Sequence, residues 1–218
     1  MKTLKIYTVI ITLACLILTS CSKSMIEGSS EITTENRAHS AFENIELEGI
    51  FETKIEKGNK HEVKVIANTN ILQHINTEVD GKTLEITMAQ GSYNNIEIEI
   101  IITSPTLKEI TKRGIGSTSV EGFVDLRDLE INHFGLASFS MKGSVANLAL
   151  NKSGIGAFEA FDLDVNNCQI EHNGIGNTEI TCNNSLTGEL TGIGNIYYKG
   201  KPNIDVEVTG IGNVKDAN

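Results

Sequence analysis

The sequence has little of what several classes of protein require. It holds four cysteines in 218 residues and no Cys-x-x-Cys motif, which is too few to predict a disulfide framework. Its 18 basic residues are outnumbered by 28 acidic ones, whereas nucleic acids and anionic membrane surfaces are bound through basic patches. We therefore expect neither of these as a main partner.

Motifs for catalysis and for cofactors are also missing. There is no Gly-x-Ser-x-Gly motif of a nucleophilic serine. The tripeptide Gly-Ile-Gly recurs, but it lacks the third glycine of a dinucleotide loop, the Gly-Lys of a phosphate loop and the aspartate of a calcium-binding repeat. We predict no catalytic residues, no cofactor and no metal.

The first 20 residues are typical of an export signal. Lysines precede an apolar run over 6–18, which is too short to span a bilayer. The residues Leu18-Thr19-Ser20-Cys21 that follow resemble the lipobox of bacterial lipoprotein precursors. This resemblance implies removal of residues 1–20 and lipidation of Cys21, and several acyl chains would anchor the protein stably.

Residues 21–37 are predicted to be the lipidated cysteine and a flexible tether, because the segment is polar and lacks periodicity. By resemblance to lipoprotein sorting rules, Ser22 in place of an aspartate implies the outer membrane. The side of that membrane is left open. No second apolar run is long enough to cross a membrane.

Residues 38–106 alternate between apolar and polar side chains, which predicts β-strands with one buried face. Asp80-Gly81 stands between two such segments and predicts a hairpin. One helical turn is possible at 70–74. This part contains no Gly-Ile-Gly tripeptide, so we interpret it as a separate β region before the repeats.

Residues 107–218 form a repeat with a period of 18–21 residues, within the range of solenoids. Alternating segments flank each copy, so we predict a β-solenoid whose Gly-Ile-Gly corners stack closely, with the glycines accepting positive φ and the central isoleucine pointing inward. Gly135-Leu136-Ala137 is a degenerate copy that could distort its repeat. The corner glycines are Gly114, Gly116, Gly154, Gly156, Gly174, Gly176, Gly192, Gly194, Gly210 and Gly212.

The repeated Gly-Ile-Gly-Asn corners at 174–177, 192–195 and 210–213, after the alternating stretch from Ala38, resemble the family called putative auto-transporter adhesin, head GIN domain. The resemblance covers nearly all of 38–218. It implies an all-β fold similar to a right-handed β-helix and a place in the cell envelope. It supplies no catalytic residues.

A column of basic residues stands two positions before the corner glycines: Lys112, His133, Lys152 and His172. We interpret it as a candidate surface strip for an acidic glycan, although charged edge residues that discourage aggregation are an alternative. Asn177, Asn195 and Asn213 predict a ladder of stacked amides. Cys168 and Cys182 are expected on different faces, more as buried free thiols than as a disulfide.

The leading hypothesis is a non-catalytic envelope lipoprotein, held in the membrane by its lipid, whose extended surface binds a glycan, an envelope polymer or a protein. A polysaccharide-acting enzyme built on a β-helix and a purely structural envelope component are the alternatives. Nothing in the sequence specifies the oligomeric state.

Overall fold

The computed structural model describes residues 25–218, so the predicted signal peptide and Cys21 lie outside the described residues. The described chain is all-β apart from one 3₁₀ turn at Leu72–His74. Its strands are β1 (Ile26–Glu27), β2 (Ile32–Ala38), β3 (Asn44–Ile50), β4 (Glu52–Lys57), β5 (Glu62–Asn68), β6 (Ile75–Asp80), β7 (Thr83–Met88), β8 (Tyr93–Asn94), β9 (Ile98–Ser104), β10 (Glu109–Ile115), β11 (Thr118–His133), β12 (Phe139–Lys152), β13 (Phe158–His172), β14 (Thr178–Leu190), β15 (Ile196–Lys199), β16 (Asn203–Val208) and β17 (Val214–Asp216).

Fifteen of these strands form one sheet, and the repeats stack in it as parallel neighbours. Strands β11, β12, β13 and β14 pair in sequence, and each corner glycine aligns with that of the next repeat. Because the register follows the repeat, equivalent residues lie above one another. Leu129, Leu148, Cys168 and Leu186 form one such column.

The columns flanking the corners fill the core, as the alternation predicts. The residues four and six positions before the first corner glycine, and four and six after it, are buried in the central repeats. The rings of Phe139 and Phe158 stack with centroids 5.3 Å apart. At the ends of the stack the pattern weakens, since Lys108 and Ile204 are exposed.

Glycine is required at the corners because successive backbones approach closely. A Cβ added to Gly174 would lie 2.1 Å from the carbonyl oxygen of Gly154 in the preceding repeat. The structure shows the expected close stacking, but the expected positive φ occurs at only part of the corner glycines: Gly114, Gly116, Gly156, Gly176 and Gly194. The expected distortion at Leu136 is wrong, because this residue pairs with Ile115 on one side and Ile155 on the other.

The central residue of each corner points outward, which corrects the predicted inward ladder. Ile155 is 50% exposed and Ile193 is 48% exposed. The last inward-pointing side chain before a corner lies two positions before the first glycine, and the next inward-pointing one lies four positions after that glycine. The chain needs five residues to turn between these points, and the middle one is left outside.

Residues 44–57 form a further repeat, so the separation of 38–106 from the repeat region is wrong for this segment. Strand β3 pairs in parallel with β10, which places Gly49 and Ile50 beside Gly114 and Ile115. Strand β4 pairs with β11. The predicted hairpin is confirmed, because β6 and β7 pair antiparallel around Gly81.

The predicted flexible tether is also corrected within the described residues. Strand β2 pairs antiparallel with β5 over its whole length. Arg37 donates to the carbonyl oxygen of Ile75 at 2.8 Å and to that of Leu72 at 3.3 Å. The segment can be polar because β2 lies at an edge of the sheet, where backbone hydrogen bonds hold it in place and no apolar face has to be buried. No helix within 25–218 has the length and apolar character to cross a membrane.

Candidate functional site

The basic column lies inside the protein, so its predicted placement on the surface is wrong. Lys112, His133, Lys152 and His172 are each at most 1% exposed. They pair in register along β10 to β13, between Leu47 at one end and Leu190 at the other. The same alternation that buries the neighbouring core columns places this one inward.

The buried lysines bind backbone carbonyl groups at the corners. Lys112 Nζ donates to the carbonyl oxygen of Phe51 at 3.2 Å and lies 4.3 Å from the centroid of its ring. Lys152 Nζ donates to the carbonyl oxygens of Ile175 at 3.2 Å and Gly176 at 3.4 Å. The two lysines therefore hold backbone carbonyl groups of the corners by hydrogen bonds from inside the protein. A soluble polymer has no access to the column.

Burial also changes the charge of this column. Desolvation lowers the pKa of Lys112 to about 8 and that of Lys152 to about 8. Desolvation, assisted by the Lys152 charge, lowers the pKa of His133 and that of His172 to about 4. Both histidines are neutral at pH 7, and the Nε2 of His172 lies 3.2 Å from Lys152 Nζ.

The outer surface carries a groove with a cavity volume of about 900 Å³, within the range of ligand sites. It runs across the stacked repeats, with residues from β11, β12, β13 and β14 in its lining. Asp125, Arg127 and residues 106–108 also line it. The groove is therefore an extended surface that crosses four stacked repeats.

A ladder of polar side chains forms the floor of this groove. Asn147 Nδ2 donates to Asp128 Oδ1 at 2.8 Å, and Asn167 Nδ2 donates to Asn147 Oδ1 at 2.9 Å. The hydroxyl group of Ser185 donates to Asn167 Oδ1 at 3.0 Å. Asn167 Oδ1 also accepts from Asn184 at 2.7 Å, and Asn147 Nδ2 also donates to the carbonyl oxygen of Arg127 at 3.5 Å. One donor hydrogen of Asn167 and one oxygen lone pair of Asn147 therefore remain for a ligand.

A second column runs beside the first in the same register. It consists of Glu130, Ala149, Gln169 and Thr187. The two columns together present amides, hydroxyl groups and carboxylates at the strand spacing of about 4.8 Å. The charged residues of the lining are nearly balanced, with Lys108 and Arg127 against Asp125, Asp128 and Glu130. The groove thus favours a polar ligand without a strong net charge.

Sequence reasoning missed this groove although the signal was present. The floor residues stand seven positions before the corner glycine in successive repeats. Aligning the repeats one residue further would have shown a polar column there. The predicted asparagine column at the corners is aligned, but its hydrogen bonds do not join amide to amide: the backbone N–H of Asn195 donates to Asn177 Oδ1 at 3.0 Å, and that of Asn213 to Asn195 Oδ1 at 3.2 Å.

The two described cysteines are buried free thiols, as predicted. Both thiols lie in the core, where the neighbouring Cys182 thiol and burial raise the pKa of Cys168. Cys182 Sγ also donates to the carbonyl oxygen of Ser185 at 3.0 Å. Among residues 25–218 no cluster of His, Cys, Asp and Glu could hold a metal ion.

Comparison with known proteins gives one family and several similar structures. The model of the family described as putative auto-transporter adhesin, head GIN domain, matches residues 41–202. A crystal structure of a putative adhesin from Bacteroides fragilis is similar with a TM-score of 0.74 and 23% identity, covering 88% of this chain and 99% of that one. No curated protein matches the chain.

Two further solved structures share the fold at lower similarity. A putative lipid binding protein from Parabacteroides distasonis has a TM-score of 0.54 at 21% identity, covering 88% of this chain and all of that one. A putative adhesin from Parabacteroides merdae has a TM-score of 0.52 at 18% identity, over 89% and 99% of the two chains. The family model spans most of the sequence and the fold agrees, so the chain belongs to the putative auto-transporter adhesin, head GIN domain family.

Proposed function

We propose that this chain is a non-catalytic binding module of the cell envelope, and that its groove holds a weakly charged or neutral glycan. The observation that carries the proposal is the polar floor column, Asp128, Asn147, Asn167 and Ser185, which crosses four stacked repeats beside a second column that is polar except at Ala149. Their hydrogen-bonding groups recur at one strand spacing, which suits a polymer with repeated hydroxyl groups. Membership of an adhesin family supports a binding role.

The state of the carboxylates supports a binding module over a hydrolase. A glycosidase needs one carboxylic acid whose pKa is raised by burial, facing a second carboxylate. Asp125, Asp128 and Glu130 in the groove are all exposed. Asp128 also accepts a hydrogen bond from Asn147, which holds its carboxylate in the ladder of the groove floor.

The proposal includes the anchor and the closed form of the fold. Lipidation at Cys21 would hold the module at the membrane, most simply the outer one, and stacked repeats would continue as a right-handed β-helix. Support for the helix comes from the parallel in-register pairing of β10 to β17. Support for the anchor comes from the lipobox-like residues 18–21.

The test is binding of the full chain to immobilised neutral, uronic-acid and sulfated polysaccharides. We expect retention on a neutral polymer, and a loss of at least tenfold in affinity when Asn147→Ala and Asn167→Ala are combined. Asn213→Ala is the matched control, since it removes an exposed amide outside the groove. Depolymerisation of any polymer by the wild type, or binding that the double variant leaves intact, would overturn the proposal.

A further inference from the structure

The outward residues of the corners form a second surface, which the groove does not use. We call it the corner strip: Ile115, Leu136, Ile155, Ile175, Ile193 and Ile211. Each of these residues is 44% to 72% exposed, and each pairs with the next as a parallel bridge. At one strand spacing per repeat the strip is about 24 Å long.

From Leu136 to Ile211 the surroundings of the strip carry no charge, whereas at the Ile115 end Arg113 precedes the corner and lies 5.3 Å from the centroid of the Phe134 ring. The five corners at 134–138, 153–157, 173–177, 191–195 and 209–213 contain only glycine, aliphatic residues, Phe134 and small polar residues. This is a marked departure for a chain in which 21% of residues are charged and the formal net charge is −10. A partner that binds through ion pairs finds no contact here.

The backbone of the corners is already paired. Ile155 donates its N–H to the carbonyl oxygen of Gly135, and Gly156 donates to that of Ile175. The same pattern continues through Ile193 and Ile211. A partner therefore cannot add a strand at this place and must pack on the side chains alone.

We infer that the corner strip is an interface with a second copy of this chain. Two facing copies of an acidic protein repel each other least where the contact itself is uncharged, and the five corners from Leu136 to Ile211 meet that condition. A second copy also has aliphatic side chains at the same spacing, so the side chains of one strip fit between those of the other. Such a contact is isologous and closes as a dimer.

The available area agrees with a dimer of modest strength. Six half-exposed aliphatic side chains offer on the order of 500 Å² of apolar surface, a size that marks interaction sites on soluble proteins. Two copies would thus cover about 1,000 Å² in total, which is near the lower limit for a specific interface. The dimer is expected to dissociate on dilution.

The test is sedimentation equilibrium of the full chain in density-matched nonionic detergent. We expect dimers that dissociate reversibly, and at least a 100-fold rise in the dissociation constant for Ile155→Glu combined with Ile175→Glu. Val124→Glu is the control, because Val124 is equally exposed at 52% but lies off the strip. It should change the dissociation constant less than threefold. Circular dichroism checks that each variant is folded.

Three outcomes would overturn the inference. The wild type could stay monomeric at 100 μM, or Val124→Glu could weaken the dimer as much as the strip variant does. The strip variant could also lose binding to phosphatidylcholine vesicles or to a neutral polysaccharide while the wild type is monomeric, which would assign the strip to that other partner. Glycan binding by the groove is measured separately and does not decide between these outcomes.

Discussion

At the scale of single residues, the basic column shows where chemistry and pattern give opposite predictions. Strand alternation places Lys112, His133, Lys152 and His172 on the inward side, whereas their charge suggests the surface. The pattern decides, because the corner carbonyl groups inside offer hydrogen bonds to the ammonium groups. A sequence shows the alternation but not the carbonyl groups, so the burial was not predictable from residue type.

The histidines make stability depend on acidity. Their pKa values in the folded protein are about 4, below the unfolded value of about 6.5, so the unfolded chain takes up protons first as the pH falls. The contribution of the histidines to the free energy of unfolding is fully present above about pH 6.5 and declines towards pH 4, by roughly 3 kcal/mol for each histidine.

Urea unfolding between pH 7 and pH 4 measures this decline. Replacing His133 and His172 together by Leu should remove most of the dependence of the free energy of unfolding on pH in this range. His74→Gln should leave that dependence unchanged, because both histidines of the column are still present. An equal slope in the double variant and in the wild type would count against neutral buried histidines.

Lys152 is predicted to cost stability at neutral pH. Its pKa in the folded protein is about 8, so at pH 7 folding buries a charge without a carboxylate partner, and Lys152→Met should raise the free energy of unfolding by about 1–3 kcal/mol. Wild-type stability should also rise from pH 8 to 10.5, and the variant should show a smaller rise. Lys142→Met, on the same strand but exposed, should change stability by less than about 1 kcal/mol. A loss of stability in Lys152→Met would contradict this account.

At the scale of elements, the corner is the feature that the sequence predicted best. Glycine at a fixed period implies a close approach of stacked backbones, and a Cβ at Gly174 would overlap the carbonyl oxygen of Gly154. The predicted direction of the isoleucine side chain was wrong because a turn interrupts the strand alternation. The number of residues in the turn decides which side chains point inward after it.

Gly174→Ala should therefore destabilise the protein by about 3 kcal/mol, the upper end for overpacking. The control is Gly81→Asn, in the β6–β7 hairpin, where nothing lies within 4 Å of an added Cβ. Asparagine tolerates the positive φ of 57° there, so the change should stay within about 0.5 kcal/mol. If chemical unfolding gave the same loss in the free energy of unfolding for both variants, the close approach of the corner backbones would not be the reason for glycine at position 174.

Strand β2 gives a further prediction for an element that was mistaken for a tether. Because Arg37 is held by the carbonyl oxygens of Ile75 and Leu72, trypsin should cut after Arg37 at least about 100 times more slowly in the folded than in the unfolded chain. Mass spectrometry of timed digests measures the ratio. Cleavage after Arg37 as an early event in the folded protein would restore the tether interpretation.

At the scale of the whole molecule, the period of 18–21 residues was sufficient to predict an all-β stack of parallel repeats. It could not reveal that residues 44–57 join this stack, because 65 residues separate Gly49 from its neighbour Gly114. Pairing between distant segments leaves no period in a sequence. The groove was not predicted for another reason. Amides and hydroxyl groups are common on solvent-exposed strand faces, and only their alignment across repeats distinguishes a binding groove from an ordinary exposed face.

The central claim is that the two polar columns bind the ligand, and hydrogen exchange tests it most directly. The full chain is compared with and without the neutral polysaccharide that it retains best. We predict slower exchange in peptides that cover 125–130, 147–149 and 167–169, and no change in peptides that cover the corners at 153–157 and 173–177. Protection at the corners with none in the groove would contradict the claim, as would the absence of protection by any retained polymer.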